Sequence, residues 1–169
     1  MELTKKERLS FVYQLLILEK LYPEEADHYA RHRKALEEGY ALHYDWMVEN
    51  LYEELSEADC REVLDVLDMY RAIDTSFRSL DAADKLRNHY LAKFKGYDGN
   101  NETAQMGYAR YFIVDLDRFS ELKDADYPYF NSHAPMIATY RAMLARWREV
   151  PEKFSMSRSE LASVLGADE

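Results

Sequence analysis

The sequence predicts an all-α fold: a compact single-domain bundle of about seven to eight helices around one long central helix, near residues 57–79. Three observations lead there. Five Gly and four Pro in 169 residues leave little material for hairpins. Apolar residues recur at helical spacing through almost every segment. Residues that cap helices stand where those segments begin. A chain of 169 residues is one domain's worth, long enough to bury a core without disulfides or metal.

The elements follow in order. Thr4 and Glu7 form a capping box for a first helix whose stripe runs through Leu9, Val12 and Leu16. Pro23 suits the first position of a second helix, with Glu24 and Glu25 at the positive end of its dipole. Gly39 ends that helix or bends the chain before a third helical stretch, Tyr40 to about Glu54. Ser56 caps the long helix, whose core stripe is Val63, Val66, Leu67, Tyr70, Ile73, Phe77 and Leu80. Asp81 opens a helix to about Phe94, and Gly96 to Glu102 is the clearest loop. Helical spacing resumes from Thr103 to Arg118 and is lost between Phe119 and Ala134, where Tyr127 to Asn131 reads as an aromatic loop. Pro135 starts a helix that Pro151 ends. Ser157 and Glu160 box a last short helix before Gly166.

Charge and cysteine usage narrow the function. Twenty-two Lys and Arg against 32 Asp and Glu give a net charge of −10, which argues against nucleic acid and anionic lipid as general partners. The single cysteine, Cys60, excludes an internal disulfide and fits a reducing, cytoplasmic setting. The longest apolar runs are four residues, Leu15 to Leu18 and Tyr111 to Val114, too short for a membrane span or a signal-peptide core.

Few residues carry recognisable chemistry. His28 and His32 lie one turn apart, and Glu25 precedes His28 by three, but a di-metal carboxylate bundle needs that motif on a second helix. No metal site is assigned. Cys60 lies in the first turn of the long helix between Asp59 and Glu62, and reads as a packed cysteine rather than a nucleophile. Phosphate loops, dinucleotide fingerprints and nucleophile elbows are absent, so no cofactor and no catalytic residue is assigned. Asp74 falls on the apolar stripe and requires a partner. Eight carboxylates from Glu49 to Asp68 face only Arg61, a solvated acidic run in which Glu57, Arg61 and Asp65 form a ladder. Five basic residues between Ala138 and Arg158 make a local positive face. The tail at 157–166 resembles only the first half of a helix-turn-helix.

Aromatic content is the compositional anomaly. Fourteen Tyr, seven Phe and two Trp include several off the core stripes, among them Tyr13, Tyr44, Tyr108 and Tyr111. Residues of this kind are favoured at interfaces, so the sequence predicts self-association as a homo-oligomer.

A colinear set of fragments resembles the YfbU family of uncharacterised bacterial proteins. The strongest is Cys60-Arg61 with Asp65, Met69 and Tyr70 in the long helix. Others are Glu37-x-Gly39-Tyr40, Phe94-x-Gly96-Tyr97-Asp98, Gly107-Tyr108-x-Arg110-Tyr111, Phe130-Asn131 with Pro135-Met136, and Tyr140-x-x-Met143-Leu144. Arg8-Leu9 and Gln14 fit near the start, whereas the His28/His32 pair lies outside the pattern. The resemblance implies a cytoplasmic, mostly helical protein and brings no activity with it.

These fragments suggest one site. Asp98 and Asn131 fall in the two irregular segments, and Arg110 stands off its helix's apolar arc near Tyr108. An arginine among aromatic rings can hold an anion, so Asp98, Tyr108, Arg110 and Asn131 are a candidate cleft for a small anionic or polar ligand. The rival expectation pairs Arg110 with Asp98 or Asp65. Three function classes follow: a non-catalytic interaction or regulatory protein acting as a homo-oligomer, a small-molecule binder or enzyme using the Arg110 cleft, and, more weakly, a nucleic-acid-binding regulator using the Arg141 to Arg158 face.

Overall fold

The computed structural model describes residues 1–123 and 129–167, and its contacts divide the chain into two units, 1–54 and 55–169. Helices carry both: α1 (Lys5–Leu21) and α2 (Ala26–Glu38) in the first, α3 (Glu57–Phe77), α4 (Thr103–Arg110), α5 (Ile137–Arg148) and α6 (Arg158–Leu165) in the second. Among the described residues there is no strand, only one isolated bridge between Tyr97 and Asn131. The fold is all-α.

In the first unit, α1 and α2 form an antiparallel hairpin. The Thr4 hydroxyl accepts from the Glu7 N–H while the Glu7 carboxylate accepts from the Thr4 N–H at 2.8 Å, the reciprocal box that the sequence predicts. The core here is thin: Val12, Leu36 and Tyr44 are buried, with Leu3, Leu15 and Met47 packed around them. Glu19 on α1 accepts from Arg33 on α2 at 2.6 Å, which ties the two helices above that core. Tyr44 belongs to the interior, not to the exposed set that helical spacing assigns it.

The predicted helix from Tyr40 to Glu54 does not form. Gly39 takes a left-handed conformation (φ 77°), and the chain continues as two single 3₁₀ turns, Ala41–His43 and Asp45–Met47. A short stretch without a buried stripe gains too little from packing to pay for helix nucleation, and Leu51 and Tyr52 stand almost free in solvent.

In the second unit, α3 is the axis, packed against α4 and α5, with α5 in turn against α6. The Ser56 hydroxyl accepts from the Asp59 N–H, as its cap position predicts. Nine α3 residues are buried, including Val63, Val66, Leu67, Tyr70, Ile73 and Phe77. Truncating a side chain such as Leu67 to Ala would cost about 2–5 kcal/mol through lost burial and the cavity left behind. The predicted helix from Asp81 to Phe94 is instead a 3₁₀ turn at Lys85–Asn88 within irregular chain. Arg87 accounts for this: its guanidinium donates to the carbonyls of Phe77 and, at 3.0 Å, of Leu80. It thereby finishes the end of α3, which a new helix would have carried it away from. The predicted run from Thr103 to Arg118 is also shorter, passing from α4 into one π-helical turn, Tyr111–Asp115, before Asp117 and Phe119 take left-handed conformations (φ 48° and 55°).

Arginines finish two further helices. Arg8 of α1 donates to the Leu36 carbonyl in the last turn of α2 at 2.8 Å, and Arg146 of α5 donates to Val164 in the last turn of α6 at 2.9 Å. Each cation meets the negative end of a helix dipole and fills an acceptor left without an intrahelical partner.

Candidate functional site

The two irregular segments of the second unit meet in a tight backbone junction. The Tyr97 N–H donates to the Phe130 carbonyl at 2.9 Å, and the Ser132 N–H donates back to Tyr97 at 3.0 Å. Gly96, at φ 84°, lies so close beneath this crossing that a Cβ on it would sit 1.8 Å from the Phe130 oxygen. Only glycine fits there. Beneath the junction, Phe94 contacts Tyr70, Tyr97, Phe130 and Tyr140, with ring centroids 5.4 to 6.2 Å apart. Tyr140 donates its hydroxyl to the Gly96 carbonyl at 2.8 Å. Burial drives the Tyr70, Tyr97 and Tyr140 hydroxyls far above the usual phenol range, so all three stay neutral and serve as packing groups.

Two of the four predicted cleft residues belong to this junction. Asn131 accepts through Oδ1 from the Gly99 N–H at 3.1 Å and from the His133 N–H at 2.9 Å. Asp98 is buried and accepts from the Asn101 side chain and from the Asn100 N–H, which hold its carboxyl below the ordinary carboxylate range. Both side chains therefore spend their acceptors on the loop itself.

The other two stand elsewhere. Arg110 is exposed at the far end of α4, about 12 Å along the axis from the helix start, with no hydrogen bond or ion pair among the described residues. It pairs with neither Asp98 nor Asp65; Asp65 instead accepts from Arg148 at 2.6 Å. Tyr108 is half-buried against Phe112 and Tyr111. Its hydroxyl is raised by burial and then by Cys60, which itself donates to the Leu55 carbonyl at 3.7 Å. Cys60 is thus a packed residue joining α3 to α4.

Sequence reasoning missed the residue that organises the junction. Glu102 is 4% exposed, and its carboxylate accepts four backbone N–H bonds: Met136 at 2.8 and 3.0 Å, Ile137 at 2.8 Å and Asp98 at 3.0 Å. It neutralises the N-terminus of α5 from a different part of the chain. Its only signal in the sequence is an acidic residue at the end of a polar loop, which is commonplace.

Charged runs that read as two separate surfaces prove to be partners. Arg141 donates to Glu62 at 2.8 Å, Arg148 to Asp65, and Arg158 to Asp84 at 2.8 Å. The basic face of 138–158 is largely consumed in this way. Asp74 is paired too, with Arg78 at 2.7 Å, and the predicted Glu57–Arg61 rung forms at 2.5 Å. Among the described residues no group of three or more His, Cys, Asp and Glu side chains could hold a metal ion.

The first unit presents a different feature. α1 buries only Val12, while Leu9, Tyr13, Leu16, Ile17 and Leu21 are each 40% or more exposed. Leu9, Tyr13, Ile17 and Leu21 follow one another in steps of four, and Leu16 stands three after Tyr13, so all five share one side of the helix.

A family model for the YfbU domain matches residues 1–167, across both units. The chain belongs to the YfbU family. It is also similar to the UPF0304 protein MJECS11 of Methanocaldococcus jannaschii, 36% identical over 171 aligned positions that cover 98% of this chain and 99% of that protein. Seen against the YfbU membership, residues that carry the resemblance meet in space: Arg8 lies over Gly39, Cys60 against Tyr108, and Phe94, Gly96, Tyr97 and Phe130 around one crossing. Packing accounts for these contacts.

Proposed function

We propose that this YfbU protein is a non-catalytic interaction or regulatory protein that works as a homo-oligomer, with the exposed side of α1 as its self-association surface. The observation that carries the reading is the row Leu9, Tyr13, Leu16, Ile17 and Leu21, left in solvent on a helix that buries a single residue of its own. An isolated amphipathic helix gains its stability from packing, and a second copy offers the same apolar row in symmetric register. Exposed apolar ground of this kind marks interaction sites. The ion pairing of Arg141, Arg148 and Arg158 supports a partner other than nucleic acid, since those cations are already neutralised within the chain. No helix among the described residues is long and apolar enough to cross a membrane. With Cys60 as its single thiol, the chain suits a reducing cytoplasm.

Light scattering across a dilution series tests this. A mass above the 20.0 kDa of one chain, falling to it when Tyr13→Glu and Ile17→Glu are introduced together, is the expected result. A wild-type particle of 20.0 kDa at every concentration overturns the reading.

A further inference from the structure

On a different side of α1 the hairpin lines a half-open cavity of about 340 Å³, walled by Phe11, Leu15, Leu18, Leu36 and Met47 and carrying His28 and His32 on its α2 side. That volume lies within the range of small-molecule sites, about 300–1,000 Å³, and the mixture of an apolar wall with a few polar groups is their usual chemistry. The two imidazoles stand one turn apart with ring centroids 4.4 Å apart, edge to face, and neither has a hydrogen bond among the described residues. Tyr29, also in the wall, has its hydroxyl committed to Glu25 at 2.8 Å and is simply apolar ground. No carboxylate lines this cavity, so the site offers donors and no pair of anionic ligands for a cation.

His28 and His32 also line an adjoining space of about 470 Å³, together with Arg31, His43 and Glu49. His43 Nδ1 is buried there without a hydrogen-bond partner among the described residues. A buried orphan of this kind calls for a group to pair with. The ligand chemistry follows from the two halves: an apolar body for the first space, and a headgroup accepting hydrogen bonds at the histidines, where the Arg31 cation favours negative charge over positive.

We propose that this cavity is a binding site for a small amphiphilic carboxylate, an aliphatic or aryl acid, with its chain among Leu15, Leu18 and Leu36 and its carboxylate at His28 and His32.

The test titrates the full chain with sodium octanoate and, as a headgroup control, with 1-octanol, read by NMR shifts of the histidine imidazoles and leucine methyls. Saturable octanoate binding at least about tenfold tighter than octanol is expected, the margin a charge-assisted hydrogen bond supplies. His28→Ala with His32→Ala should remove the preference for the acid, with helical circular dichroism checking that this variant stays folded. Leu15→Trp should fill the space and abolish both, with helical circular dichroism checking that the hairpin persists. The Tyr13→Glu, Ile17→Glu variant, altered on another side of α1, should bind octanoate as the wild type does. No saturation up to about 10 mM, which corresponds to binding weaker than a specific site would give, overturns the proposal. So does octanoate binding that survives the histidine double substitution unchanged.

Discussion

The Glu102 carboxylate accepts the Met136 N–H through both of its oxygens, at 2.8 and 3.0 Å, although 34 residues separate the two. One oxygen also takes Ile137 and the other Asp98, so a single acid fastens the start of α5 to the loop that precedes α4. Substituting Glu102→Gln keeps the shape but turns one oxygen into an N–H₂ group that faces two N–H donors. The expected loss is about 1–3 kcal/mol, the cost of leaving buried donors unpaired, seen as a lower urea midpoint for the second unit.

Gly96 and Gly107 should respond in opposite ways to alanine. Gly96→Ala places a methyl inside the Phe130 carbonyl at a positive φ, so about 3 kcal/mol or more is lost and the expressed protein is largely insoluble or unfolded. Gly107 lies within α4 with open space around it, and Gly107→Ala should raise stability by about 0.5–1 kcal/mol. Thermal melts of the two variants check both signs.

Asp98 makes the second unit sensitive to acid. Its carboxyl titrates below the ordinary range because Asn101 and the Asn100 N–H bond to its charged form. A depressed value contributes stability that is present above the unfolded pKa, about 3.9, and is lost as pH falls through the folded value. The wild type should therefore exceed Asp98→Asn in urea midpoint at pH 7, with the gap narrowing progressively as the pH falls below about 5. A gap that widens on acidification contradicts this assignment.

Removing one helix-end arginine should loosen the helix it caps rather than the one it sits on. Arg146→Met keeps the aliphatic stem on α5 but leaves the Val164 carbonyl without its donor. Amide exchange at 162–167 should speed up by about tenfold, the equivalent of roughly 1–1.5 kcal/mol, while α5 amides change little.

What the sequence discloses here is what is decided locally. Thr4 with Glu7, Ser56 with Asp59, and Ser157 with Glu160 each solve a problem within one turn, and each is found as read. The stripe of α3 is equally plain because one face of that helix meets core from end to end. The failures are all long-range. Residues 81–94 carry helical spacing, yet Arg87 is drawn to the end of α3. Residues 40–54 carry it too, with no surface to bury against. Of the candidate cleft, Asp98 and Asn131 come together because both lie in loops that cross, whereas Arg110 is carried away by the rise of α4. Glu102 was illegible because its three N–H donors belong to residues 98, 136 and 137, and nothing in a one-dimensional window announces that meeting.

The three arginine caps have a consequence for cutting the chain into pieces. Arg8, Arg87 and Arg146 each terminate a helix from outside it, so no helix so treated is finished until its neighbour has arrived. Excised peptides covering α2 or α6 should consequently fray at their last turn. Their summed ellipticity should fall short of that of the intact protein, the signature of cooperativity distributed across contacts rather than stored in segments.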